Sequence, residues 1–304
     1  MSDILYIVVP SYNEEDVLPE TAKRLKEKLN SLMNVGKIAK NSRIVFVNDG
    51  SKDRTWEIIK ELHESDNIFS GINLSCNRGH QNALLAGLMS VTDHADISIS
   101  MDADLQDDIS AVDKMLDKYY EGYEIVYGVR NKRDSDTFFK KATAEGFYKL
   151  MKYMGALMVF NHADYRLMSK KALKGLAEFD EVNLFLRGII PMIGYKSTTV
   201  EYERGERFAG ESKYPLKKMI AFALEGITSL STTPIRLIGV LGLFIMAVGI
   251  IMLILGGGPA LSSIWFIGGV QLLSIRIIGE YLGKVYLETK SRPRFIVDEF
   301  LNDE

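Results

Sequence analysis

The chain has 304 residues, enough for one large domain or two smaller ones around a buried core. Its net charge of −3 and pI near 5.9 lack the basic surplus of a nucleic-acid binder. The single cysteine, Cys76, excludes an internal disulfide and a cysteine-rich zinc site, and fits a reducing compartment. The mean hydropathy of +0.01 averages two unlike parts. Residues 1–230 mix charged and apolar side chains as a soluble domain does, whereas residues 237–275 contain no Asp, Glu, Lys or Arg.

The first expected strand, residues 4–9, has no basic stretch before it and meets Pro10 too early for a secretion signal. The soluble part is therefore expected in the cytosol. Residues 43–47, 68–74, 96–101 and 124–129 are further expected strands, bounded by turn residues. Between them, residues 17–32, 55–63, 81–90 and 111–120 carry helical patterns. This alternation predicts an α/β fold with a parallel, doubly wound sheet, whose ligands bind beyond the C-terminal strand ends. Residues 135–160 are expected to be helical, 169–177 a helix with Ser169 as N-cap, and 195–203 a strand.

Residues 215–230 combine Leu216, Met219, Ile220, Phe222, Ala223 and Ile227 with Lys217 and Lys218, a pattern suited to lying on a membrane surface. Residues 237–255 are uncharged and, at roughly 1.5 Å per residue, long enough to cross a bilayer core. Residues 256–259 form a glycine-rich turn, and a return span is expected over about 261–285. Arg236 precedes the first span; Lys284, Lys290, Arg292 and Arg294 lie at or beyond the end of the second, which places both ends in the cytoplasm. Arg276 and Glu280 can pair on one helix face, the arginine snorkelling. The expected division is a cytosolic domain over 1–214, an amphipathic juxtamembrane segment over 215–234, a transmembrane hairpin over 235–286, and a cytosolic tail over 287–304. Gly239, Gly242, Gly249, Gly268 and Gly269 would favour close helix packing and a homo-oligomer in the cytoplasmic membrane.

Three loops at expected strand ends carry chemistry. Pro10-Ser11-Tyr12-Asn13-Glu14-Glu15 sets an aromatic ring and carboxylates where a base can stack, although a turn before an acidic helix start explains it as well. Asn48-Asp49-Gly50-Ser51-Lys52-Asp53 reads as a tight turn in which Ser51 or Asp53 caps the next helix, leaving Asp49 at the strand tip unexplained. In Asp102-Ala103-Asp104-Leu105-Gln106-Asp107-Asp108, two carboxylates one residue apart can converge on a hard cation that also holds a diphosphate. Such pairs are common in solvated loops, but this one follows a strand of apolar and small residues directly. His80 has no second histidine or carboxylate in its own segment, and a loop role is expected for it.

These segments, in this order, resemble the family 2 inverting glycosyltransferases, and within them the polyprenyl-phosphate branch of dolichol-phosphate mannose synthases and bactoprenol glucosyltransferases. The resemblance runs through VPSYNEE (9–15), FVNDGSKD (46–53), NRGHQNALLAGL (77–88), MDADLQD (101–107), ADYRLMS (163–169), NLFLRG (183–188), ERFAGESKYPL (206–216) and 269–295, nearly the whole chain. It implies a nucleotide-sugar-binding domain of GT-A type and metal-dependent, inverting transfer of a sugar to polyprenyl (undecaprenyl) phosphate. By the same resemblance Pro10, Tyr12, Glu14 and Asp49 line the nucleobase and ribose pocket. Asp102 and Asp104 hold ribose, diphosphate and Mg²⁺ or Mn²⁺, with Gln106 as a further metal ligand. Asp164 lies where an acceptor-side base sits, and Arg204, Arg207, Ser212 and Lys213 face the lipid phosphate. UDP-glucose is the favoured donor, with UDP-N-acetylglucosamine and GDP-mannose as alternatives. A processive polysaccharide synthase would need more spans, and the intact Asp102–Asp104 pair speaks against an inactive nucleotide-sugar-binding membrane partner. Relatives often carry a proline pair after the Asp-x-Asp loop; here Asp107-Asp108-Ile109-Ser110 stands instead.

Overall fold

The computed structural model describes residues 2–130, 162–181, 185–203 and 260–302. Strand β1 (Leu5–Ser11) is buried along its whole length, and its side chains divide by parity between two cores. Leu5, Ile7 and Val9 pack with α1 (Leu18–Asn34), α2 (Thr55–Ser65) and α4 (Ala111–Tyr120). Tyr6 and Val8 pack with α3 (His80–Val91), α5 (Lys170–Ala177) and α6 (Leu186–Met192). A strand with two apolar faces needs cover on both, and the helices supply it.

Helix α1 shows how the sequence selects its element. Leu18, Ala22, Leu25, Leu29 and Leu32 recur at helical spacing and are buried, while Lys23, Lys26 and Glu27 face out. Pro19 sits in the first turn, where its missing N–H removes no helical bond. Each fully buried leucine contributes roughly 1.5–3 kcal/mol, so the apolar stripe outweighs the weak propensities of Thr21 and Asn30.

Among the described residues, β1, β2 (Arg43–Asn48), β3 (Phe69–Leu74), β4 (Ile97–Ser100), β5 (Ile125–Arg130), β6 (His162–Ser169), β7 (Ser197–Tyr202) and β8 (Val297–Leu301) form one sheet in the order β7-β5-β6-β4-β1-β2-β3-β8. Beside β1 lie β2 and β4, with β3 next to β2, all parallel as expected. The expectation of a wholly parallel sheet fails beyond β4. There β6 runs antiparallel between β4 and β5, and β7 pairs with β5. Asp164 and Arg166 interrupt the apolar run of β6, which hides the strand from a hydrophobicity reading. Ser169 ends it and caps α5, accepting from the Ala172 N–H at 3.0 Å, as its position predicts.

The expected helix over 135–160, the amphipathic segment and the first expected span lie outside the described residues. Where the second span is expected, α7 (Ala260–Lys290) is one continuous helix. Among the described residues no helix is long and apolar enough to cross a membrane. Past α7 the chain returns to the sheet as β8 (Val297–Leu301), inside the segment expected as a tail. It runs antiparallel to β3 and covers that strand's edge, with Arg43 Nη1 donating to Asn302 Oδ1 at 2.9 Å.

Candidate active site

The loops beyond β1 and β2 are laced together. Asn13 N–H donates to Ser51 Oγ at 3.0 Å and Lys52 N–H to Asn13 Oδ1 at 2.9 Å. Glu14 N–H donates to Thr55 Oγ1 and Arg54 N–H to Glu15 Oε2. Asp53 accepts from the Thr55 and Glu15 N–H groups and so closes the start of α2. Most of the polar residues in both segments therefore build the rim, and Tyr12, 42% exposed, presents its ring beyond it. Pro10 lies within β1, paired with Val47.

Asp49, unexplained by turn chemistry, is 3% exposed and has a structural partner. Its two carboxylate oxygens accept from the backbone N–H groups of Arg78 and Gly79, at 2.6 and 2.9 Å. Burial nonetheless pushes its carboxyl above the usual range, against those two bonds. Gly50 beside it has φ +62°, and a Cβ there would stand 2.5 Å from Asn77 N. The turn after β2 is thus pressed against the loop after β3 and fixes it from two sides.

That loop delivers His80. The β4–β6 ladder ends where Ser100 pairs with Arg166; Asp102 lies two residues past Ser100 and Asp164 two residues before Arg166. His80 Nε2 lies 3.6 Å from an oxygen of each. The loop role expected for His80 from its own segment omits these partners, which arrive from β4 and β6. Burial works to lower the imidazole pKa, but the bond to Asp164 and the charges of Asp102 and Asp164 outweigh it, and the net shift is upward.

Asp164 is 12% exposed and clamped. Arg166 Nη2 donates to Oδ1 at 2.5 Å, while Arg187 donates through Nε to Oδ1 at 3.3 Å and through Nη2 to Oδ2 at 3.0 Å. Burial would raise its pKa; His80, Arg187 and Arg166 together hold it well below the carboxylate range. A carboxylate so held is a weak proton acceptor and a strong organiser of cations. Arg166 and Arg187 are site residues that the sequence reading did not single out, although ADYRLMS and NLFLRG contain them.

Asp102 differs. Burial, with the charges of Asp107, Asp164 and Asp104 added to it and the charge of His80 opposing, pushes its carboxyl up to about 6. Asp104 accepts from the Gln106 N–H at 3.2 Å through a turn in which Leu105 has φ +57°. Among the described residues no three His, Cys, Asp or Glu side chains converge as a ready metal cluster. Asp102, Asp104 and the Gln106 amide nevertheless make a hard oxygen donor set in a carboxylate-crowded loop, a chemistry that fits a divalent cation. On the α1 side of this loop an open cleft of about 700 Å³ is lined by Arg24, Lys28, Gln106, Asp108 and Glu203. Arg204, Arg207, Ser212 and Lys213 lie just past Glu203, outside the described residues.

Residues 6–176 match the model of glycosyl transferase family 2. Among curated relatives the chain is similar to the uncharacterized glycosyltransferase YkoT of Bacillus subtilis, 51% identical over 99% of this chain and 93% of that one. It is also similar to the bactoprenol glucosyl transferase of Shigella phage SfX, 40% identical over 96% of this chain and 97% of that one. Among solved structures, glucosyl-3-phosphoglycerate synthase from Mycobacterium tuberculosis gives a TM-score of 0.48 at 15% identity, covering 75% of this chain and 77% of that one.

Proposed function

The chain belongs to glycosyl transferase family 2, and from that premise we propose that it moves a sugar from a nucleotide-sugar, UDP-glucose first among donors, onto polyprenyl phosphate at the cytoplasmic face of a membrane. The observation that carries the reading is the Asp102–Asp104 pair just past β4, with Asp102 and the cation-clamped Asp164 meeting at His80. The full-length likeness to a bactoprenol glucosyl transferase supports the lipid acceptor and glucose.

The chemistry is a single displacement with inversion. An oxygen of the lipid phosphate bonds to the anomeric carbon as the bond from that carbon to the diphosphate oxygen breaks. A phosphate is already ionised near neutral pH, so no proton need be removed from it. The low proton affinity of Asp164 agrees with this. It holds Arg166, Arg187 and His80 in place rather than acting as a base. Asp102, Asp104 and Gln106 would hold Mg²⁺ or Mn²⁺, which when bound neutralises charge growing on the departing diphosphate. Pro10, Tyr12 and Glu14 line the nucleotide side, with Asp49 beneath them fixing the loop of Arg78 and Gly79. Arg204, Arg207, Ser212 and Lys213 address the lipid phosphate, the arginines by forked bonds to two oxygens.

The membrane hairpin over 235–286 and the juxtamembrane segment over 215–234 belong to the same proposal. β8 supports it by parity. A strand after α7 belongs to the same sheet as β1, so any membrane crossings between β7 and β8 must be even in number. Two experiments test the reading. UDP should bind the full chain more tightly with Mn²⁺ than without, and Asp104→Asn should remove the difference; equal binding with and without metal would end the metal assignment. A reporter fused after Glu304 should be cytoplasmic, and a reporter on the far side would end the hairpin.

A further inference from the structure

The loop that carries Asp102 and Asp104 contains a further buried carboxylate with no place in the chemistry above. Asp107 is 3% exposed and adds its charge to those that raise Asp102. A buried like charge beside the cation-binding pair needs a reason, and its partners supply one. Tyr202 Oη donates to Asp107 Oδ1 at 2.5 Å and accepts from Arg130 Nε at 3.1 Å, while Arg130 Nη2 stands 3.6 Å from the same carboxylate oxygen. Arg130 and Tyr202 are the last residues of β5 and β7, paired in register. The rigid end of a strand pair thus reaches across to the loop.

Two lesser struts act with it. Tyr165 Oη donates to the Asp108 carbonyl at 3.1 Å, and its ring meets that of Tyr202 edge-on at 5.2 Å. Thr21 Oγ1 donates to the Ala103 carbonyl at 2.8 Å. Between these anchors the chain makes the left-handed step at Leu105 that turns Gln106 back toward Asp104. A non-glycine residue stays in that conformation only where its surroundings over-determine it.

We propose that Tyr202 is a positioning residue, which through its bond to Asp107 holds the loop of residues 102–108 ready for the metal and the diphosphate. Asp107 serves as the handle and Arg130 offsets its charge. A hydrogen bond to a charged group is worth enough to pre-order a short loop, and pre-ordering returns as ligand affinity.

Tyr202→Phe removes the bond and keeps the ring on Tyr165; Asp107→Asn removes the charge and keeps an acceptor oxygen for Tyr202. Hydrogen exchange of residues 102–108 is measured first, in the full chain without metal, and does not depend on the proposed activity. Exchange should speed about tenfold in Tyr202→Phe, equivalent to about 1.4 kcal/mol, and stay within threefold of the parent in Asp107→Asn. The melting temperature should move by only a few degrees in either variant. Calorimetry with UDP and Mn²⁺, the arm that rests on the proposed function, should show about tenfold weaker binding for Tyr202→Phe alone. Parental exchange in Tyr202→Phe would overturn the proposal, as would a tenfold loss of affinity in Asp107→Asn with parental affinity in Tyr202→Phe, which would assign the effect to charge. If the parent fails to bind UDP with Mn²⁺, the function fails while the exchange arm still decides the strut. Should Tyr202→Phe not fold, Arg130→Gln, which takes an ordering donor from the tyrosine oxygen, is read by the same exchange, and parental exchange there also overturns it.

Discussion

Replacing Gly50 by alanine separates two physical costs that the structure places at one residue. Gly50 and Gly36 both sit in the left-handed region, at φ +62° and +70°. An alanine at either pays about 1–2 kcal/mol of backbone strain, partly offset by the stiffer unfolded chain. The surroundings differ. A Cβ at Gly36 meets nothing within 4 Å, whereas at Gly50 it would stand 2.5 Å from Asn77 N and 2.7 Å from the Cys76 carbonyl carbon. Those neighbours are backbone, and the next two residues, Arg78 and Gly79, donate their N–H groups to Asp49, so relief requires moving the whole loop. Overpacking of this kind costs about 1–3 kcal/mol more. At roughly 2–4 °C per kcal/mol for a domain of this size, Gly50→Ala should melt about 2–12 °C below Gly36→Ala. Because the displaced loop carries His80, sugar transfer should fall in Gly50→Ala and stay near parental in Gly36→Ala. The assay is thermal unfolding of both variants in one detergent, with initial transfer rates alongside. Equal melting temperatures would refute the claim that the β2 turn braces the β3–α3 loop.

Asp164→Asn leaves the fully buried Arg166 beside Arg187 without their shared carboxylate and should destabilise by about 3–5 kcal/mol, read as a lower melting temperature. Lost turnover with unchanged melting would instead mark Asp164 as a base. Asp102→Asn relieves carboxylate crowding, so in chelator it should melt no lower than the parent while losing transfer; a clear drop in melting would contradict the crowding. Asp104→Asn should lose at least about a hundredfold in turnover, roughly 3 kcal/mol of charge stabilisation, and parental turnover would remove the metal from the account. Ending the chain after Lys290 strips β8 from β3 and exposes that strand's edge, which should lower the melting temperature and promote association on gel filtration. A truncated chain that melts and elutes like the parent would show that β8 contributes nothing.

The regular first half of the sheet was legible because its strands are apolar runs separated by amphipathic helices, and periodicity reads both. β6 was not, since Asp164 and Arg166, the charged residues it brings to the candidate site, are those that spoil its apolar pattern. β8 escaped for a different reason. Val-Asp-Glu-Phe-Leu has only an edge to cover, and its partner β3 lies more than 200 residues earlier. Of the site, the carboxylates at strand ends could be found, because position after a strand is itself a signal. The roles of His80, Arg187 and Tyr202 depend on partners 22 to 95 residues away in sequence, at Asp102, Asp164 and Asp107. Asp49 shows the reverse case. A strand-tip carboxylate suggested a ligand, and the structure gives it two backbone N–H groups first.

The central claim is sugar transfer from a nucleotide to a lipid phosphate. Its most direct test gives purified full-length protein radiolabelled UDP-glucose, UDP-N-acetylglucosamine or GDP-mannose with undecaprenyl phosphate, and measures label in the extracted lipid. The account predicts label from UDP-glucose above the other two, lost in EDTA and restored by Mg²⁺ or Mn²⁺. Absence of lipid label from all three donors, in a preparation that binds UDP, would contradict it.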